Sequence, residues 1–412
     1  MIYKVIHKVR VRRSALLLAA SCSIFPHAAW AQANQPRATV DISVGGVFDS
    51  NPFLLTNGDS AAAVTIKIEP KVVWEDESSS ALIDSSFRLS QYTNQYGSDE
   101  AARIGAQASK QLDERTSISA RAGFQTSRSS LQDSFFSNSA DPFDPGFIPD
   151  IPLTDVTVAG RRVRVNTFDA STGIDYALSP ADSISFSATT SYSKFSNNAG
   201  SDYRTGFGNL QYSRRLSERT SIFASVNAGV ADYIGRNVGD ATIISPQFGA
   251  QYSLSERISL NASAGVSYAA IDDGIGARNN NTYISGRLSL CDRDVRSSFC
   301  GSVSRSAEPT ALGGISAVTS LAVNYDLKLS LKDRVSVSGR YGRTDRSSDP
   351  IFAAVRGKSE VYGIQAVYSR YFSDRVSFDV IPSFTKIYEP SVKRDANYSV
   401  MASVRVRLGK LR

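Results

Sequence analysis

Histidine occurs twice in the 412 residues, as His7 and His27, and both stand in an N-terminal stretch that reads as a cleavable leader. The chain that follows has no imidazole to act as general base, triad member or metal ligand. Acidic side chains are plentiful, but they sit beside turns or alternate with small polar residues, where water accounts for them. We therefore read no enzymatic activity, cofactor or metal site. Cysteine chemistry narrows to Cys291 and Cys300, which flank Asp292-Arg293-Asp294-Val295-Arg296-Ser297-Ser298-Phe299. Two strands leaving one short turn can bring the sulfurs together, and an oxidising compartment favours a disulfide. Two free cysteines or a metal pair are the weaker readings, because two thiolates alone rarely complete a zinc site.

The remaining chemistry is charge. Lys67, Glu69, Lys71, Asp84, Arg88, Arg121, Asp169, Asp175, Arg287, Arg340, Arg405 and Arg407 fall inside segments that otherwise alternate apolar and small polar residues. Charges spaced along one face of a strand are costly against lipid and cheap beside water, so these twelve are expected to face a lumen. A solvated inner wall in a closed, non-conducting barrel would show the same pattern.

The segments that carry them have period two. After Arg257, Ile258, Leu260, Ala262, Ala264, Val266, Tyr268 and Ala270 share one parity, while Ser259, Asn261, Ser263, Gly265 and Ser267 share the other. The last such segment puts Tyr398, Val400, Ala402, Val404, Val406 and Leu408 opposite Ser399, Ser403, Arg405 and Arg407. That alternation is a strand with one apolar face. A charged turn punctuates it: Leu216-Ser217-Glu218-Arg219-Thr220-Ser221 returns 38 positions later as Leu254-Ser255-Glu256-Arg257-Ile258-Ser259. Similar strings begin at Leu112, Leu331 and Phe372. Each period holds a turn, a strand of about 11 to 14 residues, a longer loop and a returning strand, long enough to cross a membrane at a tilt. The count is about 18 antiparallel strands, with 16 as the alternative: an all-β transmembrane outer-membrane barrel with tight turns on the terminus side and long loops opposite. One period is oversized, and its excess is a loop over 128–162 that either caps the barrel or folds inside, where Phe135, Phe136, Phe143 and Phe147 could meet the inner wall; a disordered external loop is the alternative reading.

Residues 1–31 combine Lys4, Lys8, Arg10, Arg12 and Arg13 with Ala15-Leu16-Leu17-Leu18-Ala19-Ala20 and end on Ala29-Trp30-Ala31, a signal peptide with its cleavage site. Cleavage after Ala31 is preferred over lipidation at Cys22. It leaves residues 32–412 as the barrel and lowers the formal charge from +7 by five basic groups to about +2, so nucleic acid is not a partner. Outer-membrane lipid and the barrel-assembly machinery are the expected partners. Two aromatic girdles should mark the lipid boundaries, with Trp74, Tyr176, Tyr212, Tyr252 and Tyr368 near the short turns and Tyr192, Tyr233, Tyr268, Tyr341 and Phe384 near the opposite ends.

Near the start of the barrel stands Val44-Gly45-Gly46-Val47-Phe48-Asp49-Ser50-Asn51-Pro52-Phe53, a strand running into an Asp-Ser-Asn-Pro turn. With the Leu-Ser-Glu-Arg turns, it resembles the β-barrel porin family found with bacterial exopolysaccharide and capsule gene clusters, over essentially all of residues 38 to 412. The resemblance implies an outer-membrane conduit working with periplasmic polysaccharide-export proteins and a polysaccharide, and it supplies no catalytic residue. The chain departs from most bacterial outer-membrane barrels by ending Leu408-Gly409-Lys410-Leu411-Arg412 and not on an aromatic residue. The functional expectation is a pore for hydrophilic solutes linked to exopolysaccharide export. A general diffusion porin and a plugged structural or adhesive barrel are the alternatives, and both monomer and trimer remain open.

Overall fold

The computed structural model describes residues 36–94, 96–128, 162–196, 200–234, 240–272, 278–311, 314–345, 358–389 and 392–409. The expected leader, 1–31, and nearly all of loop 128–162, including its four phenylalanines, lie outside them. The described residues form eighteen strands: Arg37–Asp49 (β1), Ala61–Glu75 (β2), Ser79–Tyr92 (β3), Ser98–Gln111 (β4), Thr116–Ser127 (β5), Val165–Ala177 (β6), Asp182–Phe195 (β7), Asp202–Arg215 (β8), Thr220–Ile234 (β9), Ala241–Ser253 (β10), Ile258–Asp272 (β11), Arg278–Arg293 (β12), Ser297–Pro309 (β13), Ile315–Lys328 (β14), Asp333–Asp345 (β15), Lys358–Tyr371 (β16), Val376–Tyr388 (β17) and Asn397–Gly409 (β18). Each strand pairs antiparallel with its sequence neighbours, and β1 pairs with β18 from Thr39 opposite Gly409 to Asp49 opposite Ser399. The sheet is a closed 18-stranded barrel.

The turns repeat because a short side chain completes them. In the turn before β9, Leu216 N–H donates to Thr220 O at 2.9 Å, and Arg219 N–H donates to Ser217 Oγ at 3.2 Å. Before β11, the amides of Arg257 and Ile258 donate to Ser255 Oγ at 3.2 and 3.1 Å. Before β5, Asp113 plays that part, accepting from Arg115 N–H at 2.7 Å. A serine or aspartate that mimics a backbone acceptor fixes a tight turn whatever stands at its exposed tip. One string was misplaced in the sequence reading. The turn before β15 is Leu329-Ser330-Leu331-Lys332, with Leu329 N–H bound to Asp333 O and Lys332 N–H to Ser330 Oγ, so the string at Leu331 runs two residues late.

Alternation separates the two faces. Ile66, Phe87, Ile104, Leu210, Phe248 and Ile284 are exposed on the outer wall. Inner-face residues also meet partners far from adjacent strands, which only the interior of a closed sheet permits. Outer-wall aromatics gather near the long-loop ends, where Phe124 and Phe168 pack 4.6 Å apart and Phe384 lies 5.0 Å from Tyr398. Tyr233 does not belong to that girdle. Its neighbours Val230 and Ile234 are exposed, so the opposite parity carries Tyr233 inward, where it is 5% exposed. Cys291 and Cys300 are direct cross-strand partners on β12 and β13, 4.1 Å apart at Cα, and form a disulfide.

The Asp-Ser-Asn-Pro turn clasps the seam. Asn51 is 1% exposed. Its backbone N–H donates to Asn397 Oδ1 at 2.9 Å, and its Nδ2 donates to Leu55 O at 2.9 Å and Asp395 O at 3.2 Å. Leu55 N–H donates back to Asn51 Oδ1 at 3.0 Å, and Asn397 Nδ2 donates to Asp49 Oδ1 at 3.0 Å. Asn51→Ala removes three bonds to the Asn51 side chain in a buried setting and should cost about 2–4 kcal/mol. A lower unfolding temperature of the heat-modifiable folded band checks this, and an unchanged temperature contradicts it. Deleting 396–412 removes the strand that pairs with both β1 and β17, so no heat-modifiable band should form; normal insertion would contradict β18 as the closing strand.

Candidate functional site: the inner face of the barrel

All twelve charged residues singled out from the sequence stand on the parity opposite the exposed apolar rows. Most are brought together on the strands flanking the seam, β17 and β18 on one side and β1 to β4 on the other. Arg407 binds Asp41 with two 2.7 Å bonds, Asp41 sits opposite Glu69, and Glu69 pairs with Lys67 at 2.7 Å. Lys67 faces Arg88, and Lys71 faces Asp84. Arg405 reaches Asp379 at 3.0 Å, and Arg88 reaches Asp99 at 2.7 Å; both aspartates are 1% exposed. On β5 and β6, Arg121 lies opposite Ser171, Asp169 leans over Gly123, and Asp175 lies opposite Ser117. A β-carbon at Gly123 would fall 2.6 Å from the Asp169 carboxylate, so the glycine makes room for the charge. Arg287 lies on β12 and Arg340 on β15. Arg340 is 4% exposed and lies between Ala322 and Gly363, whose small side chains leave it space. The partners Asp41, Asp99 and Asp379 were not singled out from the sequence, although Asp41 alternates with Val40, Ile42 and Val44 and was readable there.

The complementary observation is an absence. On β7 to β11 the inner parity runs Ser183 to Phe195, Tyr203 to Ser213, Ser221 to Tyr233, Ala241 to Ser253 and Ser259 to Ile271. Among these residues no Asp, Glu, Lys or Arg occurs; Arg215 follows only at the short-turn end of β8. Serine, threonine, asparagine and glutamine fill the middle of that sector, with Phe207 and Phe223 among them. The lumen is thus divided, with ion pairs around the seam and an uncharged amide, hydroxyl and aromatic wall on the other side.

The long-loop mouth is narrowed from within. β12 pairs with β13 only from Gly286 opposite Arg305 inward, whereas β13 and β14 stay paired out to Pro309 opposite Ile315. The β13–β14 tip therefore leaves β12 and leans into the barrel. Ala307 and Ile315 pack with Ala231, Tyr233, Ala241, Ile243, Ala269 and Ile271 from the inner faces of β9 to β11. Tyr233 Oη donates to Gly314 O at 2.7 Å and accepts from Thr310 N–H at 3.2 Å, while Ser201 N–H donates to Ala311 O at 2.6 Å. A second inner cluster, Phe53, Ala61, Ala63, Tyr92 and Tyr96, takes Arg162 over the Phe53 ring at 4.5 Å, so the end of the oversized loop reaches the mouth as well. On the rim Asp240 is pushed up to about 6, first by partial burial and then by Asp232 and Asp272.

Tyr233→Phe removes the hydroxyl that holds the tip on both sides, a change of about 1–3 kcal/mol. Amide exchange at Thr310 should quicken by roughly tenfold or more while the β9 ladder keeps its protection. Unchanged exchange would contradict the hydroxyl as the latch.

No family model matches the sequence, and no curated protein matches it. Among solved structures, the chain is similar to the FrpB iron transporter from Neisseria meningitidis, with a TM-score of 0.46 and 10% identity over 91% of this chain and 83% of that one. Pseudomonas aeruginosa OccK2 in complex with glucuronate gives 0.45 and 11% over 92% and 99%, and Pseudomonas aeruginosa OprD gives 0.42 and 10% over 93% and 98%. Likenesses this slight carry no argument, and the assignment rests on the wall itself. No helix among the described residues is long and apolar enough to cross a membrane, which says nothing against crossing by strands. A sheet hydrogen-bonded all the way round, apolar outside and polar within, satisfies every backbone group that hydrocarbon would leave unpaired. The chain is an outer-membrane β-barrel.

Proposed function

We propose that this barrel is a conduit for hydrophilic solutes whose preferred cargo is uncharged or sparsely charged carbohydrate, and that it serves polysaccharide export together with periplasmic partners. The twelve charged residues then act as hydrated lining, and those paired around the seam keep the path wet without a strong net field. The observation that carries the reading is the charge-free sector of β7 to β11. Sugar hydroxyls both donate and accept, and amide or hydroxyl side chains can exchange places with water around them at little net cost. Fixed charges bind their water more tightly and favour ions. The link to exopolysaccharide is supported by the resemblance of the Asp-Ser-Asn-Pro strand and the repeated turns.

A plugged barrel is the second reading, favoured by the β13–β14 tip across the mouth. Planar-bilayer recordings of the full chain, of a variant with residues 310–314 shortened, and of one lacking loop 128–162 separate the two. Stepwise conductance is expected, largest when 310–314 is shortened. No conductance in any of the three, from protein that shows the heat-modifiable folded band, would overturn the conduit.

A further inference from the structure

Phe207 and Phe223 lie on the inner parity of β8 and β9, half-buried, in the sector without charge. Each leans over a glycine of the next strand. A β-carbon at Gly229 would fall 2.1 Å from Phe207 Cδ1 and 2.6 Å from its Cε1, and one at Gly249 would fall 2.2 Å from Phe223 Cζ and 2.7 Å from its Cε1. The rings therefore occupy the space that inward side chains would take at those glycines. They lie along the wall, not out into the channel. The side of each ring away from its glycine is left to the lumen.

Covering a strand glycine with an aromatic ring is a known way of stabilising a sheet. The same barrel shows that a glycine notch does not require a ring, because Gly123 and Gly105 receive the carboxylates of Asp169 and Asp84 instead. Rings fill the notches on β9 and β10, where the surrounding inner residues are Asn209, Asn227, Ser225, Gln247 and Gln251. Phe207 sits opposite Gly229, and Phe223 lies six residues further along β9, about 20 Å at the rise of a strand. That separation suits two sites on one extended chain better than one compact ligand.

We propose that Phe207 and Phe223 are stacking platforms for two pyranose rings several units apart along one neutral oligosaccharide, each presenting an aromatic face to the C–H face of a sugar while the neighbouring amides take its hydroxyls. The proposal rests on the carbohydrate reading above and adds the place where the sugar is held. Phe207 also touches the apolar cluster under the β13–β14 tip, so the upper platform lies just inside the mouth.

The test is single-channel recording of the full chain with maltohexaose as a neutral sugar probe and a polyethylene glycol of matched size as control, paired with liposome swelling in the same sugar. Phe207→Ala and Phe223→Ala should each shorten sugar-induced current blocks by roughly three- to tenfold, with glycol blocks unchanged. Phe207→Trp and Phe223→Trp should keep the sugar blocks, and unaltered ion conductance shows that each variant is folded. Blocks equally long in both alanine variants, or equally long with glycol, would overturn the platforms while sugar-driven swelling leaves the conduit standing. Absence of both swelling and blocks in a conducting wild-type channel would overturn the carbohydrate reading itself.

Discussion

Within hydrocarbon an unpaired peptide group costs several kcal/mol, so a sheet that crosses a membrane must have no edge. In this chain that requirement comes to rest on the ladder between β1 and β18. Every other strand pairing is between neighbours in sequence and forms from a hairpin. The seam instead joins residues more than three hundred positions apart and has no turn to hold its register. The side chains at its two ends supply what the missing turn would have done. At the long-loop end, Asn51 and Asn397 tie the exit of β1 to the entry of β18; toward the other end, Arg407 grips Asp41 with two bonds.

The division of the lumen follows from the same arrangement. Charges crowd the strands around the seam, where cross-strand pairs compensate one another, and leave β7 to β11 to neutral groups. A wall of that kind has two characters within one bore. In the proposed conduit, paired charges keep water in the bore, and the amide and hydroxyl side offers a solute exchangeable hydrogen bonds. The inward β13–β14 tip seats itself on the neutral side, where Ala231, Ile243, Ala269 and Ile271 offer an apolar landing.

Much of this was legible in the residues. The Leu-Ser-Glu-Arg turns marked one rim of the barrel, since a serine or aspartate that closes a turn is needed wherever two long strands meet. Alternation set the strand count and the inward parity of the twelve charges, and the spacing of Cys291 and Cys300 gave their bridge. What escaped depends on contacts distant in sequence. Ala307, Ile315 and Ala317 alternate as any wall strand does, and nothing local says that their hairpin parts from β12 and leans inward. Tyr233 was misread by its height along the strand, when its parity between Val230 and Ile234 already placed it inside. Asn51 looked like an ordinary turn former; its partners Asp395 and Asn397 lie at the other end of the chain.

The most direct test of the divided lumen is a cryo-electron microscopy structure of the full chain in lipid nanodiscs with a neutral oligosaccharide at saturating concentration. Sugar density running along the inner faces of β7 to β11, past Phe223 and Phe207 to the β13–β14 tip, is the predicted result. Density confined to the charged strands around the β1–β18 seam, or a bore filled by protein with no path past the tip, would contradict it.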